Sequence, residues 1–286
     1  MDQLPLSHEK DIIIPLPEGI ANTKKWVISR DNQRLFLKET FVKQNSLTRQ
    51  ELNKIKSKFN FFVPVLEEKF VKDKNYTLSP FIKGKKFNNH TLFQTQTIAD
   101  KVGKMLACLA KCNVDSDEIK LSDIKQNFLA DIEFFFACRK APFDFTKEEF
   151  IKEGLFLLKS FEGQSQHLIH GDIKPDNIII SKDKIYFVDI DEMKKGFFAF
   201  NFQFTCQMLF YRSKKYSEFF RRVILAFFDG NVPDWFVENY KFMLYNKFFN
   251  RARIFIEKGD IEGERLFYKE FKHIFKLIRK KDWKIF

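Results

Sequence analysis

His167-Leu168-Ile169-His170-Gly171-Asp172-Ile173-Lys174-Pro175-Asp176-Asn177-Ile178-Ile179-Ile180, followed by Tyr186-Phe187-Val188-Asp189-Ile190-Asp191, is the stretch that decides how this chain is read. Pro175-Asp176-Asn177 and Ser181-Lys182-Asp183-Lys184 are turn formers, whereas Asn177 to Ile180 and Ile185 to Val188 are strand formers. A buried hairpin between polar turns accounts for that much. It does not account for the spacing of the oxygen-bearing side chains: Asp172 stands five residues before Asn177 and 17 before Asp189. Phosphoryl transfer needs a carboxylate near the attacking hydroxyl and hard oxygen ligands for Mg²⁺. Asp172 suits the first role, and Asn177 with Asp189 the second.

In these residues the chain resembles the protein-kinase-like superfamily, and within it the aminoglycoside phosphotransferase and choline kinase branch. The His-Gly-Asp form at 170–172, where most protein kinases have His-Arg-Asp, is that branch's habit. The resemblance implies an α+β, two-lobed protein-kinase-like fold, with a small antiparallel-sheet N-lobe over 1–82 and a mainly helical C-lobe over 83–286. It also implies ATP and Mg²⁺ as cofactors. Asp172 would orient and deprotonate the acceptor, Lys174 would neutralise charge on the transferred group, and Asn177 and Asp189 would hold the metal. Ile190-Asp191 follows Asp189 where protein kinases have Phe-Gly, which lets Asp191 be a further metal or structural ligand. His170 is expected to brace the loop by hydrogen bonds. That branch often has an Asp shortly before its next helix; here Asn201 occupies the neighbourhood, so a stabilising contact is expected to be missing.

Upstream, Gly19 to Val27 and Arg34 to Lys38 flank the turn at Asp31-Asn32-Gln33, which reads as a hairpin with a loop before it. By the same resemblance, Gly19 to Asn22 cover the phosphates and Lys38 contacts the α and β phosphates. Phe36 departs from the pattern. Strand alternation puts it on the same face as Lys38, where a small residue usually meets the base. Thr48 to Phe59 is helical, with Leu52, Ile55 and Phe59 on one side, and Glu51 is the expected ion-pair partner of Lys38. Strands are expected at Lys69 to Lys72 and Tyr76 to Ser79. Leu78 to Gly84 resembles the hinge between lobes, where the Pro80 carbonyl and the Ile82 N–H would bind adenine; Pro80 itself has no N–H to give.

After Gly84 the apolar residues recur at three and four spacing, predicting helices over 94–112, 121–139, 147–161, 204–228, 232–257 and 262–281. The last combines Phe267, Phe271, Ile274, Phe275 and Ile278 with Lys269, Lys272, Lys276, Arg279, Lys280 and Lys281. Packing on the C-lobe is the ordinary reading, and peripheral contact with a membrane surface is the sharper one. Cys108, Cys112, Cys138 and Cys206 lie in apolar helical contexts without metal-type spacing, so buried, reduced thiols are expected.

At 286 residues the chain is long enough for one large core or two lobes. No stretch reaches the roughly 18 apolar residues of a membrane span, and Met1 to Lys10 lacks a signal-peptide core, so a cytoplasmic location is expected, with contact at the inner face of the membrane as the variant. Net charge is +12, but the composition is rich in Phe, Lys, Ile and Asn, a skew that A+T-rich coding DNA would produce; no nucleic-acid partner is expected. The expected activity is transfer of the γ-phosphoryl group to a hydroxyl of a small molecule or glycan, an anionic sugar or envelope-lipid headgroup among them. A Ser/Thr protein kinase is the runner-up, because Lys174 is also the protein-kinase choice at that place. A nucleotide-binding pseudokinase is the third reading.

Overall fold

The computed structural model describes residues 4–17, 24–41, 49–86, 92–113, 118–139, 146–182, 184–190, 193–202 and 214–278. They divide into two compact units, Met1–Asn89 with Pro175–Asp191, and His90–Lys174 with Glu192–Phe286.

The first unit is built on an antiparallel sheet of β1 (Ile12–Leu16), β2 (Lys25–Arg30), β3 (Gln33–Phe41), β4 (Glu67–Val71) and β5 (Lys74–Pro80), in the order β1-β2-β3-β5-β4. Asp31 (φ 47°) and Asn32 (φ 64°) make the β2–β3 turn with both central residues left-handed, the geometry that suits the strands' twist. Lys72 (φ 57°) is left-handed in the turn between β4 and β5, outside the strand expected to run to it. β1 was not anticipated. Pro15 cannot donate to a ladder, and it is accommodated because β1 is an edge strand.

Alternation gives the sheet two different faces. Ile28, Leu35, Leu37, Tyr76 and Leu78 form a buried cluster covered by Leu4, Leu6, Ile13, Trp26 and Val71. Arg30 clamps the covering segment, reaching Asp11 at 3.0 Å and donating to the Leu6 carbonyl at 2.7 Å. Glu39 belongs to this face. It is 7% exposed and accepts hydrogen bonds from Tyr76 Oη (2.6 Å) and Lys74 Nζ (3.0 Å). Burial pushes its carboxyl up, but the hydrogen bonds from Tyr76 and Lys74 and the charge of Lys74 together outweigh that and leave it below the ordinary value of 4.5. Burial and the Glu39 carboxylate push the Tyr76 phenol up to about 12.

A carboxyl whose pKa is lowered by folding contributes stability above its unfolded value and loses it as the pH falls through the folded one. Glu39→Gln is therefore expected to lower stability by about 1–3 kcal/mol at neutral pH. The gap from the wild type should narrow as the pH drops below 4.5. Urea midpoints measured from pH 3 to 7 check this, and a gap independent of pH would refute it.

The hairpin of β8 (Ile178–Ser181) and β9 (Lys184–Phe187) packs with the first unit, although it follows the Asp172 loop in sequence. The Phe187 N–H donates to the Phe61 carbonyl at 2.8 Å, and the Phe187 ring meets those of Phe61 and Phe62. On its other edge β8 pairs with β6 (Lys85–Lys86). Gly84 lets the chain approach there: a Cβ on it would lie 2.4 Å from Ile179 Cγ2 and 2.7 Å from the Ile180 carbonyl oxygen. Between β3 and β4 runs helix α1 (Arg49–Lys58).

The second unit is mainly helical: α2 (Leu92–Ala110), α3 (Leu121–Cys138), α4 (Lys147–Leu158), α5 (Lys214–Phe227), α6 (Asp234–Lys258) and α7 (Ile261–Ile278). A capping box starts α4, with Thr146 Oγ1 accepting from Glu149 N and Glu149 Oε2 from Thr146 N. Phenylalanines fill the core; Phe128, Phe135, Phe150, Phe161, Phe242, Phe248 and Phe249 are almost completely buried. On α7, Phe267 and Phe271 pack against Phe248, and nothing over the described residues supports the expected membrane contact. None of the described helices is long and apolar enough to cross a membrane. The cysteines correct another expectation. Cys112 is buried, but Cys108 and Cys138 are exposed free thiols, because the buried stripes of α2 (Ala99, Val102, Leu106, Leu109) and α3 (Ile124, Phe128, Ile132, Phe135) run along other faces. Cys206 lies outside the described residues.

Candidate functional site

The second unit holds the loop that carries Asp172. Strand β7 (His167–Ile169) pairs with β10 (Lys194–Gly196) and delivers the chain to His170, which is fully buried. Gly171 follows at φ 83°, a left-handed conformation that a side chain would strain. Asp172 Oδ2 then faces Lys174 Nζ at 2.6 Å, both side chains about one-fifth exposed. The expectation of a missing contact at Asn201 is overturned. Asn201 is 2% exposed in the 3₁₀ turn Phe198–Phe202. Its Oδ1 accepts from His170 N at 2.8 Å and Gly171 N at 3.4 Å, and its carbonyl accepts from Ile173 N at 3.0 Å. An amide oxygen serves here as well as a carboxylate would, since only an acceptor is required. His170 does brace the loop: its Nδ1 accepts a long bond, 3.4 Å, from the Asp172 N–H.

Asn201→Ala leaves these buried donors without their side-chain acceptor, which should cost about 1–3 kcal/mol and lower turnover through loss of loop order. Asn201→Asp keeps the oxygen and should restore both. Denaturant midpoints and turnover of the two variants check this; an alanine variant as active and as stable as the wild type would refute it.

The first unit holds a cavity of about 230 Å³. Phe36, Lys38, Thr77 and Ser79 line it from the sheet, Pro80, Phe81 and Ile82 from the segment after β5, and Phe62, Ile179, Phe187 and Ile190 from the apolar side. Most of the lining is apolar, and Lys38, Lys56 and Asp189 are its charged members. Lys38 Nζ lies 2.5 Å from Asp189 Oδ1, with the lysine side chain 13% and the aspartate 42% exposed. Asp189 has φ 59°, an unusual conformation for a residue other than glycine, and such strain gathers at functional positions. Val188 N donates to the Asn177 carbonyl at 3.0 Å, tying the residue before Asp189 to Asn177, itself 4% exposed.

Pro80 and Ile82, expected from the resemblance to bind adenine, both line this cavity; that role stays a proposal. Leu66 N donates to the Leu78 carbonyl at 2.8 Å on the edge away from β3, while Phe81 N donates back to the Arg34 carbonyl at 2.9 Å. Two residues after Leu78, the Pro80 carbonyl belongs to the same outer edge. Glu51 sits in the first turn of α1; its pairing with Lys38 stays a proposal. Gly19, Asn22 and Asp191 lie outside the described residues. Sequence reasoning passed over Thr77 and Ser79, although strand alternation from Lys38 and Phe36 through the β3–β5 register would have found them. Lys56, which lines the cavity from α1, gave no such signal.

Asn177 and Asp189 offer an amide oxygen and a carboxylate, hard donors of the kind Mg²⁺ takes. That ion usually draws one or two protein ligands and completes its shell with phosphate oxygens and water. No group of three or more His, Cys, Asp or Glu that could hold a metal occurs among the described residues. The donor set fits Mg²⁺ held jointly with a polyphosphate.

No family model matches the chain, and no curated protein matches it in sequence. Solved structures do. A thermostable mutant of aminoglycoside phosphotransferase APH(4)-Ia, in ternary complex with ADP and hygromycin B, is similar over 95% of this chain and 94% of that one, with a TM-score of 0.68 at 10% identity. The AMP-bound complex of spectinomycin phosphotransferase APH(9)-Ia is similar over 88% and 87%, with a TM-score of 0.63 at 13% identity. An ethanolamine kinase of Plasmodium vivax is similar over 85% and 74%, with a TM-score of 0.58 at 11% identity. At such identities the likeness is one of fold. The chain has the two-lobed, protein-kinase-like α+β fold, in the form shared by aminoglycoside phosphotransferases and this ethanolamine kinase.

Proposed function

We propose that the protein is an ATP- and Mg²⁺-dependent kinase that transfers the γ-phosphoryl group to a hydroxyl of a small molecule or glycan. The observation that carries the reading is the Lys38–Asp189 pair in the lining of a mostly apolar cavity. A nucleotide needs that polarity: base against apolar walls and the hinge groups of Pro80 and Ile82, phosphates against Lys38. Gly19 to Asn22 would cover the phosphates, and Glu51 would steady Lys38. Asn177 and Asp189 would hold Mg²⁺, with Asp191 as a further ligand. When bound, the ion neutralises charge on the phosphates.

Asp172 orients the acceptor hydroxyl and takes its proton as the hydroxyl oxygen bonds to the γ-phosphorus and the bond to the ADP oxygen breaks. Lys174, paired with Asp172 at 2.6 Å, holds the carboxylate in place and sets a positive charge beside the transferred group. A small acceptor is supported by the structural neighbours, one solved with hygromycin B and another an ethanolamine kinase. The Lys-rich composition, net charge +12, favours an anionic sugar or an envelope-lipid headgroup over a polycation.

Incubating size-fractionated cell extract with the enzyme and labelled ATP tests the reading. Label on small molecules or glycans is the expected result. Label mainly on Ser or Thr of polypeptides would replace it with a protein kinase, and no transfer at all would favour a pseudokinase.

A further inference from the structure

A second cavity, of about 200 Å³, lies wholly within the second unit, where β7 begins. Lys111 and Asn113 line it from the chain just after α2, His167 from the first position of β7 and Lys195 from the middle of β10. Among the described residues no acid lines it. It is smaller than the roughly 300–1,000 Å³ of sites for drug-sized ligands, so it suits a small molecule or ion. The frame around it is fixed. Gln166 Oε1 accepts from Ile119 N at 2.8 Å and Gln166 Nε2 donates to the Ile119 carbonyl at 2.7 Å, pinning the chain after Glu118 beside the start of β7. Glu118 in turn meets Lys195 Nζ at 2.8 Å, with its carboxylate 62% exposed. A pair so open to solvent is worth little, and an anion in the cavity can compete for the same ammonium group. Lys111 and His167 enter no ion pair among the described residues; Asp115 and Asp117 lie outside them. A cation just past α2 suits the negative end of the helix, which accounts for Lys111 but not for Lys195 and His167, brought to the same cavity by two strands.

We propose that this cavity binds a small tetrahedral dianion, the phosphoryl group of inorganic phosphate or of a phosphate monoester, through Lys111, Lys195, the His167 imidazole and the Asn113 amide. Two ammonium groups match the charge of a dianion. Each is a compact point charge with rotatable donors, and with the imidazole and amide they approach from three separate segments, which fits an ion carrying oxygens on every side better than a planar carboxylate. The cavity shares no lining residue with the one that holds Lys38, so the proposal stands whether or not the nucleotide reading does. β7 carries the chain from His167 to His170, which puts the bound anion one short strand from the loop of Asp172.

The test follows the ring-proton NMR signals of the five histidines at one fixed pH while the full chain is titrated with inorganic phosphate, with glycerol 3-phosphate, and with chloride at matched ionic strength. His167→Asn identifies the His167 signal. That signal is expected to move along a saturating curve with a phosphate probe and not with chloride. Lys111→Gln and Lys195→Gln should each weaken binding about three- to tenfold, the loss of a charge-assisted contact discounted for the surrounding solvent. Glu118→Gln removes the carboxylate that competes for Lys195 and should strengthen binding about two- to threefold; a merely structural ion pair would give no gain. Lys38→Ala should keep the response, which separates it from phosphate bound in the other cavity. Thermal melts show that each variant is folded, and should Lys195→Gln fail to fold, Lys111→Gln and Glu118→Gln decide. Tighter binding of glycerol 3-phosphate assigns the site to monoesters, and tighter binding of phosphate assigns it to the free ion. A His167 signal that stays still, that chloride moves equally, or whose response survives both lysine substitutions would overturn the site and leave Lys111 as a helix-end charge. Weaker binding in Glu118→Gln would overturn it as well.

Discussion

Asp172→Asn should lower turnover about 10²- to 10⁴-fold, the range a positioned general base contributes, while leaving the melting temperature near that of the wild type. The substitution keeps the size of the side chain and removes the carboxylate that would take the hydroxyl proton. It also weakens the 2.6 Å contact with Lys174. Stability should change little, because the loop is anchored elsewhere, through Asn201 on His170, Gly171 and Ile173. Single-turnover assays with the acceptor from the extract screen, alongside thermal melts, separate the two effects. Near-native transfer by the asparagine variant would remove Asp172 from its assigned role, and a collapsed melting temperature would make it a structural residue instead.

The second large effect is on nucleotide binding. Saturating ATP with Mg²⁺ at about 100 times Kd should stabilise the wild type by about 2.7 kcal/mol through mass action, a rise of roughly 5 °C for a chain of this size. Lys38→Ala removes the cation beside Asp189 and should erase most of that rise. Asp189→Asn should do likewise for a different reason, by taking away the carboxylate proposed to hold the metal. The backbone ought to tolerate the change, since asparagine adopts the left-handed conformation that Asp189 holds at φ 59° about as readily as aspartate does. Thermal shifts of wild type and both variants, with and without Mg²⁺, give the answer. A full shift in Lys38→Ala would place the phosphates elsewhere, and a wild type unmoved by any nucleoside triphosphate with a divalent metal would refute the nucleotide reading altogether.

What the sequence by itself determined is local. The spacing of Asp172, Lys174, Asn177 and Asp189 is covalent, the hairpin at 178–187 follows from turn and strand formers, and the pleat alone puts Phe36 with Lys38 and Glu39 on the other face. Helices such as α3, with its repeating buried positions, could likewise be read from their period. Tertiary structure decided the rest. β1 escaped notice because Pro15 disguises a strand that exists by pairing with β2. Asn201 looked like a loss because nothing in its neighbours along the chain shows that its amide oxygen reaches backbone 30 residues away. The hairpin joins the first unit through Phe61 and Phe187, distant in sequence. Lys38 meets Asp189 across 151 residues of chain. Propensity and period act over a few residues, whereas a site is assembled by burial and hydrogen bonding between segments whose meeting only the folded core imposes.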